Sequence, residues 1–248
     1  MAHIVIVSDF DPSTEGGKVA AATKVLAVRL GGRAIVRLPH VEDVERVIHY
    51  AQHRNCVSTN MSDVQFLMPD QSFDPGAQVI YLTQRTPEQA ALLAPQGAHV
   101  LFLHGATTNE EFFKNLRGIC VPFGTRAASL TVAHVVYPLA KLLGVSVACV
   151  HTTYKKPGVD SPDPHMHMTP AAVEMEVKLQ SMSRDYGVTT DFVRETADNV
   201  HDFVCRAATR ARCGLIAMGR GNVLIGSCAD QVERRAHQPV MIVNGGAQ

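Results

Sequence analysis

Short apolar runs alternate with amphipathic stretches along the whole chain, and the alternation predicts strand following helix from one end to the other. In the first half the strand-like runs are His3 to Ser8, Arg33 to Leu38, Val64 to Leu67, Ala77 to Thr83 and His99 to His104. Between the first two, Val19, Ala22, Leu26 and Leu30 share one face of a helix that Gly31 and Gly32 end. A second helical pattern runs from Val41 to about His53. Thr86-Pro87-Glu88-Gln89 reads as a capped start of a short helix reaching Ala94.

The second half repeats this order. Its strands are Gly118 to Phe123, Val145 to Val150, Thr189 to Glu195, Leu215 to Met218 and Val240 to Val243. The first helix carries Val132, Val135, Val136, Leu139 and Leu143 on one face, with Pro138 as an expected kink and Gly144 as its end. Thr169-Pro170 opens a helix to Tyr186, and Asp198 is expected to cap one whose inner face is Val200, Phe203, Val204, Ala207 and Ala211. Strands joined by helices favour parallel sheets with right-handed crossovers. The repeat divides the chain into a compressed domain over 1–105, a linker over 106–116 and a full domain over 117–248.

Composition narrows the partners. The 248 residues hold 23 Lys and Arg against 23 Asp and Glu, and a formal charge of zero argues against nucleic acid or an anionic membrane surface as partner. Ile4 to Val7 is a short apolar run closed by Asp9, so neither a secretory leader nor a membrane span is expected and the reading is cytoplasmic. Cys56, Cys120, Cys149, Cys205, Cys213 and Cys228 lack zinc-site spacing and read as reduced, packed thiols. Cys228 is set apart, because the first turn of a helix lowers a thiol pKa.

One stretch concentrates chemistry. From Cys213 to Val243 the order is strand, glycine turn, helix, strand, with Gly219, Gly221 and Gly226 in the turn and Ser227 with Asp230 as a capping box. A glycine turn before a capped helix suits an anion such as phosphate, or merely shapes a tight connection. Gly124 and Thr125, in the turn after the half's first strand, and Thr152, at the end of its second, join the candidate set at the strand ends. The loop DPHMHM sets His165 and His167 two apart and is a candidate copper, nickel or zinc site, with His151 able to join if the loop folds back. The same loop is also a candidate lid. No GxSxG elbow or acid–base constellation supports an enzyme.

These segments resemble the universal stress protein family. ICVPFGTRAASLTVAHVVYPLAKLLGVSVACVHTT is similar to its first strand, helix and second strand, ETADNVHDFVCRAATRARCGLIAMG to its later strand, helix and strand, and RRAHQPVMIV to its usual ending. In the first half IVIVSDFDPS and TPEQAALLAPQGAHVLFL carry the likeness and the middle does not. The resemblance implies two tandem open-twisted parallel-sheet α/β domains, adenine nucleotide alpha hydrolase-like and Rossmann-like, set together as an internal pseudo-dimer. A homodimer of tandem chains is the other expected assembly. Leu101-Phe102-Leu103 and Met241-Ile242-Val243 are the runs expected to pair.

Family members that bind ATP carry an Asp after the first strand and a loop G-x2-G-x9-G-[ST]. By that resemblance ATP or AMP is the candidate ligand, with Asp9 as the acidic residue of the first half and Gly219, Gly221, Gly226 and Ser227 as the loop of the second. The pattern is incomplete in each half. Only one residue separates Gly219 from Gly221 and four separate Gly221 from Gly226, so the loop is six short of the family's spacing, and Phe123 stands where the acid is expected. Thr83 to Thr86 holds no glycine. The expectation is a stress-response protein that binds partners or small ligands with a degenerate ATP loop. A nucleotide switch or weak ATPase using Gly219 to Ser227 is the alternative, and a metal protein through His165 and His167 the second.

Overall fold

A computed structural model describes residues 3–10, 16–40, 43–53, 63–68, 77–104, 113, 115–154, 156, 158–219 and 228–245. The chain separates into two compact units, Met1–Asn115 and Leu116–Gln248. The expected linker falls almost wholly outside the described residues, as do Cys56, Gly221, Gly226 and Ser227.

In the first unit the elements are β1 (Ile4–Asp9), α1 (Gly16–Leu30), β2 (Arg33–Arg37), α2 (Asp43–His53), β3 (Val64–Leu67), β4 (Gln78–Thr83), α3 (Pro87–Leu93) and β5 (His99–Phe102). The strands stand in the order β3-β2-β1-β4-β5, and every pairing among them is parallel. Val5, Ile6 and Val7 are wholly enclosed, as a strand flanked on both sides and covered on both faces requires. The expected face of α1 is buried from Val19 through Leu30, and the helix ends at Gly31 with φ +62°. Thr86 caps α3 as expected: its hydroxyl accepts from Gln89 N–H while the Gln89 side chain accepts from Thr86 N–H.

The second unit contains β6 (Gly118–Pro122), α4 (Ala128–Leu143), β7 (Ser146–Thr153), a 3₁₀ turn (Pro164–His167), α5 (Pro170–Tyr186), β8 (Thr190–Thr196), α6 (Val200–Arg210), β9 (Leu215–Gly219), α7 (Cys228–Arg235) and β10 (Val240–Val243). Its order, β10-β9-β6-β7-β8, again all parallel, is that of the first unit with β6 in the place of β1. The repeat read from the sequence is therefore a repeat of topology. Both units are doubly wound parallel sheets, so each has a crevice where the strand order reverses, at the carboxyl ends of β1 and β4 and of β6 and β9.

Several local expectations shift. The α6 cap is Asn199, whose side chain accepts from Asp202 N–H at 3.1 Å, and not Asp198. Its inner face uses Ala208 with Phe203, Val204 and Ala207, whereas Val200, the first residue of the helix, and Ala211, its C-cap, are half-buried. On α4 Val135 is half-buried, whereas Tyr137 is enclosed and its hydroxyl donates to Leu179 O at 3.2 Å. Cys205 is half-exposed, contrary to the packed thiol expected.

Candidate functional site

Asp9 ends β1 at the reversal point of the first sheet, and the structure gives its carboxylate two protein partners. Arg37, ending the neighbouring β2, donates from Nε to Oδ1 at 2.6 Å, and the hydroxyl of Tyr81 on β4 donates to Oδ2 at 2.7 Å. Parallel register places these three side chains together, since Asp9 lies opposite Arg37 and Val7 opposite Tyr81. The Arg37 guanidinium also donates to Leu93 O at the end of α3 and lies 5.3 Å over the Tyr81 ring. Burial, then the Asp9 charge, pushes the Tyr81 phenol well above its ordinary value. The sequence pointed to Asp9 alone; Arg37 and Tyr81 were missed because nothing in either strand's own pattern shows what stands beside it.

Two hollows flank this cluster. One, of about 240 Å³, is bounded by Asp9, Tyr81, Thr83, Arg85, Thr86 and Gln89. The other, of about 350 Å³, shares Asp9 and Arg85 with it and is otherwise walled mainly by Phe10, Leu38, Pro39, Leu92 and Leu93. Both lie at the carboxyl ends of the strands, where an open parallel sheet takes its ligands.

At the corresponding strand end of the second unit an aromatic group stands in place of the acid. Phe123, following β6, is buried, its ring stacks on His151 at 4.9 Å and meets Phe192 edge-on at 6.3 Å. The His151 Nδ1 stands 2.8 Å from Phe123 O and donates to that carbonyl, and Phe123 N–H donates to Val150 O. His151 therefore belongs to this aromatic group.

Gly219 ends β9 as expected, and its missing side chain has a structural cause. A Cβ there would stand 3.2 Å from the Val132 methyl and 3.4 Å from Ala128 Cβ, so the glycine lets α4 approach the strand end. Gly124 N–H donates to Ser129 Oγ at 3.0 Å, tying the turn to the first turn of α4, and Thr125 beside it is exposed. Thr152 is half-buried, opposite Glu195 on β8. Gly221, Gly226 and Ser227 lie outside the described residues.

The histidine loop is stitched to itself. Lys156 N–H donates to Nδ1 of the buried His167 at 3.2 Å, which leaves the ring proton on Nε2 to be donated to Ser161 O at 2.8 Å. With both ring nitrogens engaged, His167 offers a metal no lone pair, and among the described residues no group of three His, Cys, Asp or Glu is placed to hold one. The loop expected as a lid is a short 3₁₀ turn capped by Asp163 and braced by Lys156 Nζ on Met168 O at 2.5 Å. The Cys228 expectation also reverses: burial, then the neighbouring Cys205, pushes that thiol up, so enclosure outweighs the pull of an eight-residue helix.

Among the described residues no helix is long and apolar enough to cross a membrane. No curated protein sequence matches the chain. A universal stress protein from Archaeoglobus fulgidus DSM 4304 superposes over 98% of this chain and 96% of its own, at 12% identity and a TM-score of 0.60. A functionally unknown protein from Pseudomonas aeruginosa PAO1 does so over 97% and 92%, at 12% identity and 0.59. Both likenesses concern the fold over its whole length. The profile of the Universal stress protein family matches residues 115–244, more than half of the chain and nearly all of its second unit. With that match set beside the repeated doubly wound topology, the chain belongs to the universal stress protein family.

Proposed function

We propose that this chain is a non-enzymatic universal stress protein that acts by binding partners or small ligands through its tandem scaffold, with its ATP loop degenerate. The observation that carries this reading is the plug of Phe123, His151 and Phe192 in the second unit. A phenyl ring at the strand end accepts no hydrogen bond from a base or ribose, where a carboxylate would. The first unit keeps the carboxylate, but Arg37 and Tyr81 already use both of its oxygens. Its β4 to α3 connection, Gln84 to Thr86, has no glycine to turn successive N–H groups onto a phosphate.

The test is thermal denaturation with ATP and with AMP. A nucleotide bound with a dissociation constant of about 10 μM, supplied at about 100 times that concentration, would stabilise by about 2.7 kcal/mol. For a chain of this size that is a rise of roughly 5 to 10 °C. The expected rise is under about 1 °C, the scatter of such melts. A clear rise that disappears in Gly226→Ala or Ser227→Ala would replace this reading with a nucleotide switch built on the Gly219 to Ser227 loop.

A further inference from the structure

We propose that Cys205 and Cys228 form a thiol pair across the seam between α6 and α7 in the second unit, which a peroxide closes to a reversible disulfide. The pair does not depend on whether a nucleotide binds. Exposure sets these thiols apart from the rest. Among the described cysteines Cys120, Cys149 and Cys213 are buried, whereas Cys205 and Cys228 are half-exposed, so a dissolved oxidant reaches those two.

Helix periodicity aims the two thiols at each other. Asp202, Cys205 and Thr209 follow at i, i+3 and i+7 on α6 and form one stripe. Both flanking members bond to α7 or to the segment that ends it: Arg235 Nη1 donates to Asp202 Oδ1 at 2.9 Å, and Gln238 Nε2 donates to Thr209 Oγ1 at 3.0 Å. The stripe therefore faces α7, with Cys205 between the two ties. On α7, Cys228, the buried Val232 and Arg235 share a face at i, i+4 and i+7, and Arg235 shows that this face turns to α6. Packed helix axes stand about 8–10 Å apart with Cα atoms about 2.3 Å off each axis, so residues facing across a seam fall inside the roughly 4–7 Å that a disulfide spans. The electrostatics agree with that placement, since after burial it is Cys205 that raises the Cys228 thiol, and Asp202 and Arg235 both act on Cys205.

The chemistry balances with peroxide as the oxidant. One thiolate attacks a peroxide oxygen, the O–O bond breaks, hydroxide leaves and a sulfenic acid forms. The second thiolate then attacks that sulfur, so the S–S bond forms while the S–O bond breaks and hydroxide leaves again. The thiol protons turn both hydroxides into water, and the pair has given up two electrons to one peroxide. Burial raises both thiols, so thiolate is scarce at neutral pH and closure quickens in mild alkali.

The experiment treats the reduced full chain with millimolar hydrogen peroxide at about pH 8.5, blocks the remaining thiols with iodoacetamide and maps linked peptides by mass spectrometry. Wild type, Cys205→Ser, Cys228→Ser and Cys56→Ser are compared, the last because Cys56 lies outside the described residues. Wild type and Cys56→Ser should each yield a Cys205–Cys228 peptide, and the other two variants none. Dithiothreitol should restore both thiols. Before reduction the oxidised wild type should melt roughly 5 °C higher than the reduced chain, because the bond closes a ring around β9. Oxidation of either thiol to sulfinic acid without a linked peptide, a link from Cys205 or Cys228 to any other cysteine, or an oxidised chain that melts no higher overturns the proposal.

Discussion

The second unit should lose stability in mild alkali, and three buried thiols set the size of the loss. Cys120 on β6 and Cys149 on β7 are wholly enclosed, and Cys213 packs before β9 beside Gly118. Burial pushes the Cys149 thiol from an ordinary 9.0 to about 12, and burial, then the Asp191 charge, pushes Cys213 to about 11. Cys120 is also raised well above 9.0, by burial first and then by the other thiols. A folded pKa above the unfolded one means the native state holds its proton more tightly. The stability is therefore complete below about pH 9 and is lost as pH rises through the window up to the folded values. Near pH 10 an unfolded thiol is mostly ionised and a folded one hardly at all, a loss of between about 1 and 2 kcal/mol for each. Cys149 and Cys213 together amount to about 3 kcal/mol, a large part of a domain's usual 5 to 15, and Cys120 acts in the same direction. Urea unfolding under reducing conditions at about pH 7.5 and about pH 10 measures it, and with a slope of about 2 kcal/mol per molar the midpoint falls by at least about 1 M. Cys149→Ala starts lower at neutral pH, having lost packed volume, yet should give up about 1 kcal/mol less between the two pH values. If its loss equals that of wild type, the buried thiol is not what alkali titrates. Tyr137, also raised by burial, adds to the decline only above its ordinary 10.0.

Asp9→Ala leaves the enclosed Tyr81 hydroxyl without its acceptor and Arg37 without its anion, and should cost about 2 to 3 kcal/mol in equilibrium unfolding, against about 1 for Tyr81→Phe. Glu176, buried on α5, takes both Arg194 Nε at 2.8 Å and Arg194 Nη2, so Glu176→Ala should cost about 3 kcal/mol and Arg194→Ala a similar amount by the same measurement. Gly32→Ala would put Cβ 2.6 Å from the Ile4 carbonyl oxygen, backbone that cannot give way, whereas Gly219→Ala meets a Val132 methyl at 3.2 Å. The first should cost about 2 to 3 kcal/mol and the second about 1, and the reverse order in paired melts would refute the packing argument.

What the sequence made legible follows from which interactions are local. All ten strands and seven helices described here lie within a few residues of the apolar runs that suggested them, because period and breaker residues are properties of contiguous chain. Thr86, Thr169 and Gly144 mark element ends that the structure keeps, each for a reason contained in one turn of backbone. The misreadings need distance. That His167 is spent on Lys156 and Ser161 depends on how a loop closes, and that Cys228 is raised and not lowered depends on what encloses it. Arg37 and Tyr81 reach Asp9 only because β2 and β4 flank β1, so no window of sequence holds all three.

The two units share a topology and have resolved the same position in opposite ways. A carboxylate held at a strand end without ligand must find partners, since leaving it unpaired in a half-enclosed crevice costs several kcal/mol. The first unit supplies them from its own strands, Arg37 and Tyr81, and the crevice stays open on either side of the cluster. The second removes the charge, and Phe123 packs that strand end against the rings of His151 and Phe192. Restoring the acid alone therefore does not restore a site. Phe123→Asp would place a carboxylate against His151, whose Nδ1 already donates to the residue-123 carbonyl, and beside the Phe192 ring, and the expected result is destabilisation of that unit without gain of ATP affinity. Tight ATP binding by Phe123→Asp, read by titration calorimetry, would show instead that the glycine turn after β9 remains a working phosphate cradle and that Phe123 was its only defect.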